Sequence, residues 1–166
     1  MRKRVIQGDE TPLDTRLDTG EWLDLEELAQ VEVTSEDPAY PVEGALLLGR
    51  QGGWRAAGPG KQRIRLLFDA PQTLRRIYLH VQEEELERTQ EFVLRFAQSG
   101  DLPSDPPGDL RREIVRQRYT FSPAGARREV EDYEVQLEGV TVLELTLIPD
   151  VSGGRARASL AALRLT

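Results

Sequence analysis

From Gln62 to Thr166 the chain alternates apolar and polar positions in seven short stretches, separated by segments rich in Pro, Gly, Asp and Ser. Burial at every second residue is the mark of a strand with one face on a core. Ile64, Leu66 and Phe68 share a face opposite Arg63, Arg65 and Leu67. Ile77, Leu79 and Val81 form the next inward row, opposite Arg76, Tyr78 and His80. Further rows are Phe92-Leu94-Phe96, Tyr133-Val135-Leu137 and Leu143-Leu145-Leu147, with Glu113 to Tyr119 strand-like in either phase. Ala158 and Leu160 lie in one phase and Leu163 and Leu165 in the other, which predicts a bulge near Ala161. An earlier strand covers Ala29 to Ser35, with Val31 and Val33 inward. The short connections Ala70–Thr73 and Glu138–Val140 predict hairpins. The sum is an all-β fold of eight antiparallel strands, the number of a jelly-roll β-sandwich.

Ahead of the strands, residues 1–20 are polar and without period, which predicts a mobile arm. Glu21 to Gln30 has the spacing of a short helix, with Trp22, Leu25, Leu28 and Ala29 on one side. Trp22 is then either an anchor sealing an edge of the sandwich or a platform for a ligand. The expected division is an arm with a short helix over 1–28 and a β-sandwich over 29–166. The connection Glu36–Lys61 is long and rich in Gly and Pro, a length that compact domains usually reserve for function.

Composition narrows the partners. The net charge of −7 opposes the phosphates of nucleic acid as a general partner. The cations are nearly all arginine, either anion binders or simply the coding habit of the gene. There is no cysteine, and no run approaches the ~20 apolar residues of a membrane helix, so the expectation is a cytoplasmic protein with no membrane partner. His80 is the sole histidine and falls mid-strand, and no phosphate loop, nucleophile elbow or zinc motif is present. The expectation is a non-enzyme.

If consecutive strands run antiparallel, their connections alternate between the two ends of the sandwich. Glu36–Lys61, Glu83–Glu87, Thr120–Arg127 and Asp150–Ala156 then share one end, and Ala70–Thr73, Ser99–Leu110 and Glu138–Val140 the other. Only the first end carries aromatic residues. Tyr40, Trp54, Arg55, Arg88 and Phe121 are the candidate ligand-binding residues there, because a sugar ring stacks its C–H face on an aromatic and offers hydroxyls to planar polar groups. Each has an alternative: Trp54 as a plug in the mouth, Phe121 as core, Arg88 as partner of Glu83, Glu84 or Glu129. Glu36 and Asp37 are candidate calcium ligands, without the spacing of a calcium loop. The alternative partner is a protein, met on a sheet face of Arg63, Arg65, Leu67, Arg76, Tyr78 and His80. The pattern favours neither a monomer nor an oligomer.

Several segments also carry a family likeness. "VTSEDPAYPVEGALL" followed by "GGWRA" resembles the opening of discoidin-like domains, also called coagulation-factor type C domains. "QRIRLLFDAPQTLRRIYL" and "RTQEFVLRFAQSG" resemble later strands of these domains. "LELTLIPDVSGGRARASLAALRL" resembles the last two strands in a group of small bacterial carbohydrate-binding proteins. The resemblance spans about Ala29 to Leu165. It implies a galactose-binding-like jelly roll that takes glycans, lipid head groups or proteins on loops at one end, often with a structural calcium. The chain departs from the secreted members in having no cysteine, and from the lipid-binding members in lacking evident aromatic spikes.

Overall fold

The structure is a computed structural model and describes residues 22–101, 110 and 112–166. The arm expected over residues 1–20, Glu21 and most of the Ser99–Leu110 loop lie outside the described residues. Among the described residues there are eight strands: β1 Ala29–Val33, β2 Trp54–Pro59, β3 Gln62–Gln82, β4 Arg88–Gln98, β5 Arg112–Phe121, β6 Arg128–Ile148, β7 Arg157–Leu160 and β8 Ala162–Leu165. Two single-turn helices, α1 Leu25–Leu28 and α2 Glu43–Leu46, complete them. All pairings are antiparallel, in the order β1-β3-β6-β4-β5 with β8 on β3, plus a separate β2-β7 pair. The fold is the all-β antiparallel sandwich that the alternation predicts.

The eight strands are not divided as expected. Ala70–Thr73 and Glu138–Val140 are not hairpins. β3 and β6 are each 21 residues long and pair with one another from Gln62↔Leu147 to Gln82↔Arg128. The two expected turns face each other as a shared bend, where register shifts and Gly139 adopts φ 65°. At the bend the inward phase of β3 changes, from Leu74 to Ile77, and both Arg75 and Arg76 donate to the Thr166 carbonyl. That is a bulge, and it lets one ribbon fold over while keeping the same face on the core. Its first layer contains β1, β4 and β5 beside Gln62–Phe68 and Val140–Ile148; its second contains β8 beside Leu74–Gln82 and Arg128–Leu137. β2, in turn, occupies part of what reads as a long loop.

The predicted rows fill the core. Ile64, Leu66, Leu79, Phe92, Leu94, Leu145, Leu147, Leu163 and Leu165 form one buried cluster. The phase change at Ala161 is a break between strands: β7 ends at Leu160, β8 begins at Ala162, and Ala161 donates to the His80 carbonyl. On the outside, Trp22 is buried against Tyr78 at 6.0 Å between ring centroids, with the Arg76 guanidinium 5.1 Å from the Trp22 ring. The helical turn is shorter than expected and is capped by Asp24, whose side chain accepts from the Glu26 amide. The proposed protein-binding face is also corrected. The bend puts Arg63, Arg65 and Leu67 on a different layer from Arg76, Tyr78 and His80, and Trp22 covers Tyr78.

Candidate functional site

The fold-over decides where the loops go. Because β3 and β6 each bend back across the core, both ends of each strand return to the same end of the sandwich. Arg88 displays this: its Nη1 donates to the Pro149 carbonyl just after β6, and its Nε to Glu83 just after β3. Glu83 N donates to the Arg127 carbonyl and Val151 N to the Thr89 carbonyl, which ties in the remaining loops. There the structure has an open cavity of about 610 Å³, within the range of small-molecule sites.

One wall is β2 and β7 with the loop before β2. Trp54 anchors it: the ring is 1% exposed and its indole Nε1 donates to the Ser35 carbonyl at 3.0 Å. Gly53 lets the chain approach the β7–β8 corner, since a Cβ there would sit 2.7 Å from the Leu160 carbonyl oxygen. The loop then clips onto β2: Asp37 N donates to the Arg55 carbonyl and Arg55 N to the Tyr40 carbonyl. This brings the half-buried Tyr40 beside Arg55, whose guanidinium lies 4.7 Å from the ring centroid. Arg155, Arg157 and Ser159 line the cavity from β7 and the loop before it. The sequence does not single them out, although the Asp150–Ala156 loop that carries Arg155 is assigned to this end.

The facing wall is Gln82 to Leu86. Its carboxylates are largely engaged. Burial pushes the Glu83 carboxyl up, but the amides of Glu85 and Leu86 and the Arg88 guanidinium outweigh it and hold the group below the usual range. Glu84 accepts from Gln82 and lies 3.6 Å from Arg127.

The structure therefore brings Tyr40, Trp54 and Arg55 to one cavity and withholds the other two candidates. Arg88 and Phe121 are buried, 3% and 0% exposed, with the guanidinium 4.6 Å from the ring centroid. They are direct partners across β4 and β5, an inward-facing pair. Trp54 is buried within the cavity wall, with no bare face for a sugar. Of Tyr119 and Phe121, Phe121 is the core residue, while the Tyr119 hydroxyl donates to the Arg128 carbonyl.

Glu36 and Asp37 do not fit a calcium ion as placed. Glu36 accepts from the Val42 amide, Asp37 accepts from the Ala39 amide, and the other Asp37 oxygen lies 3.7 Å from the Arg157 guanidinium. Among the described residues no three His, Cys, Asp or Glu side chains gather as a metal site. Buried Arg164 of β8 donates to the carbonyls of Ala45 in α2 and of Leu163. No helix among the described residues is long and apolar enough to cross a membrane.

No family model and no curated protein sequence matches the chain. Solved structures do. The family 32 carbohydrate-binding module of C. perfringens NanJ, solved with galactose, superposes with a TM-score of 0.58 at 14% identity, over 87% of this chain and 96% of that one. This chain has the fold of the discoidin-like family 32 carbohydrate-binding modules. The third such module of a family 31 glycoside hydrolase from Clostridium perfringens gives 0.58 at 18% identity, over 87% and 93%. The family 32 module of AlyQ, solved with 4,5-unsaturated mannuronic acid, gives 0.56 at 16%, over 84% and 95%. The antiparallel β-sandwich fold implied by the sequence resemblance is thereby established.

Proposed function

We propose that the protein is a non-catalytic carbohydrate-binding module that takes a sugar in the cavity between Tyr40–Arg55 and Gln82–Leu86. The observation that carries this is the Tyr40–Arg55 pair at the cavity wall, an aromatic ring held beside a planar donor. Such a pair offers apolar contact for sugar C–H groups and N–H groups for hydroxyls. Gln82 and Ser159 add polar groups from either side. The neighbours in fold add support: the NanJ module was solved with galactose and another Clostridium perfringens module with GalNAc-β-1,3-galactose. Trp54 serves by fixing the wall, and Arg88 and Phe121 by holding the strands behind it. Titration calorimetry of the full chain with galactose and with GalNAc-β-1,3-galactose tests the reading. Binding by the wild type that Tyr40→Ala weakens about tenfold or more supports it. Silence toward both sugars and toward a broad glycan array contradicts it.

A further inference from the structure

We infer that the cavity selects acidic sugars, with Arg155 and Arg157 as the groups that recognise the anion; this rests on the carbohydrate reading above and narrows it to a ligand class. The chain as a whole is acidic, at −7, yet the β2–β7 wall presents Arg55, Arg155 and Arg157 together. Three acidic residues stand opposite: Glu83 is spent on buried Arg88 and on two backbone amides, and Glu84 is shared between Gln82 and Arg127. That leaves the exposed Glu85 as the one uncommitted carboxylate against three guanidiniums among the described lining residues. Among the described residues Arg157 has a loose partner, Asp37 at 3.7 Å, and both side chains of that pair are open to solvent or partly so. Arg155 is exposed and makes no ion pair among the described residues. The positive charge thus sits on one wall, over a concave surface, without a committed partner.

A guanidinium meets a carboxylate or sulfate through two parallel N–H donors, a fit that a neutral hydroxymethyl group cannot match. The cavity's concavity reduces screening of that contact relative to a flat surface. A sugar lying against Tyr40–Arg55 would direct its acidic substituent toward β7, where the loop Asp150–Ala156 delivers Arg155. That loop is shaped by its own Asx turn, in which the Asp150 side chain accepts from the Ser152 amide, so Asp150 is occupied as well.

The test uses paired probes on the full chain: methyl galactoside with methyl galacturonoside, galactose with galactose 6-sulfate, and lactose with sialyllactose. The expected result is that at least one acidic member binds about tenfold tighter than its neutral partner, with the preference shrinking as salt rises. Which member wins distinguishes carboxylate from sulfate. Arg155→Gln, at an exposed site, should remove most of the preference by weakening the acidic sugar several-fold more than the neutral one; Arg157→Gln is the second variant. Neutral and acidic members bound equally, or Arg155→Gln lowering both alike, overturns the inference and leaves the carbohydrate reading standing. No binding to any member of any pair overturns both.

Discussion

Two groups of polar residues, each with arginine, lie within the same end of this molecule and have opposite characters. In the interior, Arg88, Gln90 and Glu129 form a chain: Arg88 donates to Gln90, and Gln90 donates to Glu129. All three are buried, and Arg88 is held further by Glu83, Pro149 and the Phe121 ring. At the cavity, among the described residues, Arg55 has a ring, Arg155 no ion-pair partner and Arg157 a loose carboxylate. Both groups include arginine. What separates structure from recognition is burial: the interior groups are held by partners inside the fold, with Arg88 Nη2 and Glu129 Oε2 left unbonded, whereas the exposed guanidiniums are free to bind.

Substitution sharpens that contrast most strongly at Arg88. Arg88→Ala removes a cation whose side chain is 1% exposed and strands Glu83, Gln90 and the Pro149 carbonyl. A loss of about 3–5 kcal/mol in urea unfolding is expected. Arg155→Gln, in contrast, should stay within about 0.5 kcal/mol of wild type in the same assay. A small effect at Arg88 would dissolve the distinction between the clusters.

The interior cluster also carries a pH signature. Burial, with Glu131 nearby as the second cause, raises the Glu129 carboxyl from 4.5 to about 7. Between those values the folded chain keeps a proton that the unfolded chain has released, so stability falls as pH rises through this window and flattens above it. The shift corresponds to roughly 3 kcal/mol. Glu129→Gln keeps an acceptor for Gln90 and removes the titration. Its stability should be nearly flat from pH 5 to 8, and at pH 8 it should exceed wild type. A variant as pH-sensitive as wild type would place the titrating group elsewhere.

Smaller effects are expected at the cavity and at the candidate calcium residues. Tyr40→Ala should weaken sugar binding by about tenfold while changing unfolding by less than about 1 kcal/mol. A chelator should leave the melting temperature unchanged, since Glu36 and Asp37 are satisfied by backbone amides and by Arg157. A chelator-sensitive melting point would return calcium to this loop.

The core was legible because it is written locally. Ile64-Leu66-Phe68, Phe92-Leu94-Phe96 and Leu143-Leu145-Leu147 alternate in sequence and are buried in the structure. The bends were not legible. Pro71 and Gly139 mark a change of direction, but an in-plane reversal and a fold across the core call for similar residues. The grouping of loops survives that misreading because a fold-over brings the chain back to the same end, as a hairpin would. β2 was hidden because its inward row is only Trp54 and Ala56, too short for alternation to declare itself. The site was half legible: Tyr40 and Arg55 meet on the cavity, whereas Arg88 and Phe121 go inward through a cross-strand pairing that no local pattern encodes. Arg155 and Arg157 do not stand out in the sequence because arginines are scattered along the whole chain, and only the fold brings these two to one wall of the cavity.

The most direct test of the central claim is amide chemical-shift mapping of the full chain during titration with galactose and methyl galacturonoside. Sugar contact at the cavity predicts the largest shifts at Tyr40, Arg55, Gln82 and Ser159, with Arg155 and Arg157 added for the acidic sugar. Shifts confined to Ser99, Gly100 and Gly139 at the opposite end, or no shifts at saturating sugar, would contradict it.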